Sequence, residues 1–504
     1  MIRKRLFALG LVLLGTTVST ACMDADDGED TVVDPGEIDP NAEVSDGSEL
    51  VDPPDLEPAA ELAASTSDDV AFEDADLADL DTPGDEQDED EGDDDSLDEA
   101  ADVASDPVDA STLDVRVSRA AKIPTDIRYV LVLVKENHTF DNYFTGFPGA
   151  ASSKFALKWD GHKDVKILRP FAPDDTLPTS PKHTHGKAVA AYRHGHMDGF
   201  STNPGHTPYM RYRESQIPSY WKYARNFVLA DHFFSESLAP SSPGHEVFWF
   251  GRSTTIDNPT CHLPGGKGCG VGCSGTHLTA TAFNPTTGVE RKVKPCFDLP
   301  SLPDHLPRGF NWIDYGGQMA KQIKSQRHVS ASHYASSKQL LRDLKKGTVH
   351  NLMIAHLSGG EISEHPPEGP CKGERFSVEV INAAMKLPEW KHMAIIVTWD
   401  DWGGFYDHVR PHVHKTDNGS IYGRGFRLPL IIISPYAKKG VVLHNDTEQA
   451  SVPRLIEELW GMKFMTTRNG HARDGHAGSL LGAFDFSQTP RSPMLLPTGS
   501  CPGD

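Results

Sequence analysis

IRYVLVLVKEN at residues 127–137 and AIIVTWDDWGG at residues 394–404 repeat one design. Each is a continuous apolar run, rich in β-branched residues, that ends in a pair of oxygen-bearing side chains. Runs of this kind read as strands buried on both faces. Open α/β sheets gather ligands at the carboxyl ends of such strands. Glu136 and Asn137 end the first run, and Asp400 and Asp401 end the second. Together they make a hard oxygen shell suited to Mg, Ca or Mn and usable by Zn. Four such side chains, remote in sequence, predict a divalent-cation site assembled by folding.

Further apolar runs occur at NFVLADHFF, HNLMIAHL and LPLIIISPY. Between the runs lie helix-like stretches, ASSKQLLRDLKK, SVEVINAAMK and VPRLIEELW. Strands alternating with helices predict an α/β fold of three layers, αβα, around a mostly parallel sheet. Residues 141–220, rich in Gly, Pro and His, read as long functional loops. Polar candidates recur just after the strands: Glu136-Asn137, Ser241, Glu364-His365 and Asp400-Asp401.

The chain opens as an export signal over residues 1–22. Arg3, Lys4 and Arg5 precede an apolar core from Leu6 to Leu14, and small residues lead to Cys22. Cys22 in that place points to lipid attachment, although Ser19 stands where lipoproteins carry Leu. Plain secretion is the alternative. Residues 24–115 hold 37 Asp and Glu with no Lys or Arg, while from residue 116 onward 45 basic residues face 35 acidic ones. An acidic stretch this poor in apolar residues predicts a disordered, self-repelling tether over 23–122. The expected catalytic domain is then 123–504, and its positive balance suits an anionic substrate. No nucleic-acid partner is expected. The expected location is a membrane-anchored lipoprotein in the periplasm or on the cell surface, or a secreted protein.

Besides Cys22 there are six cysteines: Cys261, Cys269, Cys273, Cys296, Cys371 and Cys501. An even number in an exported chain reads as disulfides, and four of them within 261–296 predict local stapling of a loop excursion. Zinc binding is the rival reading, but the gaps do not match paired CxxC spacing.

LAPSSPGHEVFWFG supplies a candidate nucleophile. Pro243 after Ser242 reads as proline at the first helical position, with Ser241 at the mouth of a helix that attracts phosphate. A cation would lower the pKa of such a serine. His183, His365 and His408 are the histidines whose neighbours give them weight as phosphoryl contacts or proton carriers. The alternative for each residue is structural: a cap, a turn or a core partner. No GxSxG elbow is present, which disfavours a carboxyl-ester triad.

Read together, these motifs resemble the bacterial phosphoesterase family that holds non-haemolytic phospholipases C and a branch of acid phosphatases. The landmarks run in order: ENHTFD at 136–141, MDGF at 197–200, APSSP at 239–243, PCFDLPSL at 295–302, SEHPP at 363–367, DDWGGFYDHV at 400–409 and GFRLP at 425–429. The resemblance covers about 127–465. It implies an alkaline-phosphatase-like core, a divalent metal ion held by Glu136, Asn137, Asp400 and Asp401, Ser241 as nucleophile, and His183 and His365 at the phosphoryl group. Asn137 and His408 are further expected substrate contacts. The implied cycle passes through a phosphoserine.

There are departures. Family phospholipases often carry Thr at the place of Ser241, Asn-Arg at Gly244-His245, and Asp-Glu at Asp400-Asp401. A family His falls on Gln449. These differences lean toward acid phosphatase, with a phosphoester small molecule as substrate. Phospholipase C acting on phospholipid is the alternative, and an inactive lipoprotein that binds a polyanion is a second. A sulfatase is disfavoured, because SSPGH lacks the required Arg.

Overall fold

The computed structural model describes residues 126–501, apart from 175, 203–204, 267, 285, 318, 327–328, 358–359 and 466–473. The export signal, Cys22 and the acidic tether lie outside the described residues. Eight strands form the central sheet: β1 Tyr129–Lys135, β2 Val228–Ala230, β3 Trp312–Tyr315, β4 Tyr334–Ala335, β5 Leu352–His356, β6 Met393–Trp399, β7 Leu430–Ile433 and β8 Val441–Leu443. Their order is β4-β3-β5-β1-β6-β7-β2-β8. β7 runs antiparallel to both of its neighbours, and every other pairing is parallel. The mostly parallel sheet expected from the sequence is therefore present, with one reversed strand.

β1 and β6 are central, and β6 is buried along its whole length. This is why both read as unbroken apolar runs rather than alternating ones. Their register sets Lys135 opposite Trp399, and the Asp400 N–H donates to the Lys135 carbonyl at 2.9 Å. Glu136-Asn137 and Asp400-Asp401 consequently leave the sheet side by side.

The helix Cys371–Met385 packs against Pro218–Asn226 and Ser337–Lys345, while Ser241–Phe250 packs against Ser451–Trp460. These two groups supply the helical layers, and one continuous apolar core joins them to the sheet. None of the described helices is long and apolar enough to cross a membrane.

The stretch 141–220 is more ordered than its composition predicts. It holds a hairpin of Phe155–Trp159 and Asp164–Leu168, and the helices His185–Tyr192 and Pro218–Asn226. A smaller core of Ala156, Tyr192, Phe200, Trp402, Tyr406 and Phe426, among others, supports it. The ordering comes from tertiary burial, which local composition does not register. The helix expected to begin at Pro243 begins at Ser241, so Pro243 lies inside its first turn.

The cysteines pair as Cys261–Cys269, Cys273–Cys296 and Cys371–Cys501. The first two staple the excursion locally, as expected, and the zinc reading falls away because these sulfurs are spent on each other. The third closes a sequence separation of 130 and ties the end of the chain to the helix Cys371–Met385. Loop-closure entropy grows with separation, so losing this bond by Cys371→Ser should lower unfolding free energy by about 4 kcal/mol. Denaturant melts should rank the three cysteine pairs in order of the loops they close.

Burial pushes the Glu374 carboxyl up to about 8, against the opposing N–H donors of Tyr220 and Ser219. Its folded value therefore exceeds its unfolded one, near 4.5. The contribution is complete below that lower value and is lost as pH rises toward 8. Melting temperatures should fall across that interval, and Glu374→Gln should flatten the fall.

Candidate active site

Asn137 extends from β1 into the same space as Ser241, the first residue of its helix. Asn137 Nδ2 donates to Ser241 Oγ at 2.9 Å and to Asp401 Oδ2 at 2.6 Å. Ser241 Oγ donates in turn to Asp401 Oδ2 at 2.9 Å. The serine hydroxyl is thus held between one donor and one acceptor, which fixes its direction. Gly244 makes the approach possible: a Cβ there would stand 2.1 Å from the Asp400 carbonyl oxygen. Gln449 secures the same carbonyl through Nε2 at 2.6 Å, while its Oε1 accepts from the Glu236 N–H. This clamp is what Gln449 does in the place of the family histidine.

Each aspartate gives one oxygen to the backbone. Asp400 Oδ1 accepts from the Asp401 N–H, and Asp401 Oδ1 from the Gly403 N–H. Their other oxygens turn inward. Burial, then Asp401, then Glu136 hold the Asp400 carboxyl well above the usual carboxylate range. Asp400 Oδ2 and Asn137 Oδ1 are buried without a hydrogen-bond partner. Buried polar atoms left this way carry a large desolvation penalty. Crowded carboxylates with orphaned oxygens are the donor set of a hard cation. Asn137 and Asp400 therefore offer free oxygens to the metal expected from the sequence, and Glu136 lies close enough to Asp400 to share it, while both Asp401 oxygens already accept hydrogen bonds.

His245, absent from the expected site, also belongs here. Its Nε2 lies 3.4 Å from Asp400 Oδ2 and 3.6 Å from Glu136 Oε1. Glu136, His245 and Asp400 are close enough to bind one ion together. The hydrogen-bond chain behind His245 assigns it a different part. Trp249 Nε1 donates to His356 Nε2 at 2.9 Å, and His356 Nδ1 meets His245 Nδ1 at 2.8 Å. An indole nitrogen can only donate. Burial, with His245 alongside, pushes His356 well below its ordinary value, so it is neutral with its proton on Nδ1. His245 then accepts at Nδ1 and bears its own proton on Nε2, which stands near Asp400 and Glu136 without a hydrogen bond to either. No local signal in the sequence tells that His245 turns toward 136 and 400.

His183 stands beside Asn137, and His365 stands beside His183. Each Nδ1 is fixed by a carbonyl, Pro181 O at 3.0 Å and Pro366 O at 2.6 Å, and the two rings are 6.0 Å apart. His183 Nε2 reaches Asn137 Nδ2 at 3.4 Å. His365 follows Glu364, which is buried in a cage: Lys135 pairs with it at 2.9 Å, and the Tyr143 and Tyr220 hydroxyls donate to it at 2.8 and 2.5 Å.

His408 is placed elsewhere. Its Nδ1 bonds Asp141 Oδ2 at 2.7 Å, inside a buried network in which Arg427 pairs with Asp141 and Asp407. The structure joins His408 to that brace and to none of the Ser241 group. The expected helix mouth is also poorer in donors than the sequence implied, since Pro243 has no N–H and that of Ser242 goes to Asn258.

A sequence profile described as the phosphoesterase family matches residues 127–463. Non-specific phospholipase C1 of Arabidopsis thaliana is 24% identical over 440 residues, covering 75% of this chain and 74% of that protein. Non-hemolytic phospholipase C of Burkholderia pseudomallei is 22% identical, and the match covers 79% of this chain but 65% of that enzyme, just under two thirds. Among solved structures, a protein of the alkaline phosphatase superfamily from Vibrio parahaemolyticus aligns over 51% of this chain and 63% of its own, with a TM-score of 0.30 and 13% identity.

Asp400→Asn removes one of three crowded carboxylates. In chelator at pH 8, the variant should melt higher than the wild type, by roughly 1–2 kcal/mol of stability. Divalent cation should raise the wild-type melting temperature and leave the variant nearly unmoved. Calorimetric or dye-based melts, with and without Mg, Ca, Mn or Zn, check both halves.

Proposed function

This chain belongs to the phosphoesterase family and is a hydrolase of phosphoric esters, and we propose that Ser241 is its nucleophile. The observation that carries the proposal is the fixed hydroxyl: Asn137 Nδ2 donates to Oγ while Oγ donates to Asp401 Oδ2. In-line attack by Ser241 Oγ on phosphorus expels the alcohol and leaves a phosphoserine. The hydroxyl proton leaves along the Ser241–Asp401 hydrogen bond. A water then attacks the phosphoserine, releasing the phosphate or phosphoalcohol and restoring the hydroxyl. His183 Nε2, 4.0 Å from Asp401 Oδ2 and with Nδ1 tied to the Pro181 carbonyl, takes the Ser241 proton from Asp401 and gives it to the leaving oxygen, while His365 contacts the phosphoryl oxygens. His245 orients Glu136 and Asp400. A cation bound by Glu136, Asn137, Asp400 and Asp401 supplies positive charge against the developing negative charge of the phosphoryl oxygens.

Two substrate classes have support. The names of the Arabidopsis and Burkholderia relatives favour cleavage of phospholipid headgroups. Ser241, Gly244-His245 and the Asp400-Asp401 pair favour a phosphomonoester and the acid-phosphatase branch. Export with a lipid on Cys22 belongs to the same reading, and the three disulfides support it, since such bonds persist in oxidising compartments.

Ser241→Ala should lower kcat by about a thousand-fold or more, and chelation should abolish turnover reversibly. Rapid quench with a ³²P-labelled monoester should trap label on Ser241. A phosphomonoester assayed beside a phosphatidylcholine diester separates the two substrate classes. Undiminished turnover by Ser241→Ala would remove the nucleophile assignment.

A further inference from the structure

Six large apolar residues stand exposed among the described residues, and four of them fall between 155 and 171: Phe155, Leu157, Leu168 and Phe171. The hairpin explains the first three. Phe155 is the register partner of Leu168, and Leu157 of Lys166. Side chains alternate along a strand, so Phe155, Leu157, Lys166 and Leu168 share the outward face, while Ala156 turns into the small core. Leu168 is the barest, at 62% exposure. An apolar face of this kind normally marks an interaction surface.

Cations frame these residues. The Lys166 and Lys154 ammonium groups stand 4.4 and 5.5 Å from the centre of the Phe155 ring. The Arg211 and Arg213 guanidinium groups lie 3.8 and 4.0 Å from the centre of the Phe171 ring. Aromatic and aliphatic tips surrounded by long basic side chains suit a lipid interface: the tips enter the acyl boundary while the cations reach the headgroup phosphates. A soluble polyanion would satisfy the cations and leave the apolar tips in water.

The hairpin is also fastened to the loops of the active site. The Leu157 N–H donates to the Tyr406 hydroxyl at 3.3 Å, and the Trp159 N–H to the Asp198 carbonyl at 2.9 Å. Tyr406 shares its small core with Trp402, the residue after Asp401, and Trp402 Nε1 donates to the His183 carbonyl.

We propose that the outward face of the hairpin, Phe155, Leu157, Lys166 and Leu168, together with Phe171 and its arginines, docks the protein on an anionic phospholipid bilayer. The proposal does not depend on a lipid at Cys22 or on which phosphoester is hydrolysed.

The test uses the full chain carrying Cys22→Ser, so that no acyl anchor contributes. Sedimentation with vesicles of phosphatidylcholine and phosphatidylglycerol should carry the protein down, and phosphatidylcholine alone should do so less. Phe155→Ser with Leu168→Ser, and separately Lys154→Glu with Lys166→Glu, should each weaken partitioning by about ten-fold or more. Turnover of a soluble phosphoester should be unchanged in both, which shows that the fold and the site are intact. Wild-type protein left in the supernatant, or variants that sediment as the wild type does, would overturn the proposal. Heparin binding in the absence of vesicle binding would reassign the face to a polyanion.

Discussion

Seven consecutive parallel pairings between β1 and β6 decide where the chemistry can be. They end with Lys135 opposite Trp399, so the next residues of both strands must emerge together. One strand contributes a carboxylate and an amide, and the other contributes two carboxylates. Mutual repulsion drives such a group apart, and only the buried sheet holds it. The same pairing that makes the strands cohere therefore creates the electrostatic tension that a cation would relieve. Ser241 enters this space because a helix start without a Cβ at Gly244 can lie against the Asp400 carbonyl.

Around that centre the landmark motifs hold one another. Lys135 from β1 pairs with Glu364, which stands beside His365. Burial pulls Lys135 down and Glu364 up, each toward neutrality, and their attraction and the two tyrosine hydroxyls oppose this. Asp141 of the first motif meets Arg427 of the last and His408 of DDWGGFYDHV. Much of what looks like scattered polar signature in the sequence is thus bracing that fixes the loops.

The sequence displayed the parts of this structure whose signal is local. β1, β5, β6 and β7 are unbroken apolar runs, and their carboxyl ends announce themselves by the polar pairs that follow. Two-residue β4 and three-residue β8 have no such length and stay hidden. The expected residues 136–137, 241 and 400–401 were legible for the same reason, and the structure brings Asn137, Ser241 and Asp401 into one hydrogen-bonded group. His245 was not, because its role rests on Trp249 and His356, a partner 111 positions away. His408, close behind Asp401 in sequence, has its ring held by Asp141, a contact that no local signal announces.

The three regions that meet at Ser241 are drawn from positions 137, 241 and 401 of one chain. No fragment that stops short of β6 owns the reactive arrangement. A polypeptide that ends before residue 401 therefore lacks the serine arrangement on which the proposed hydrolysis rests.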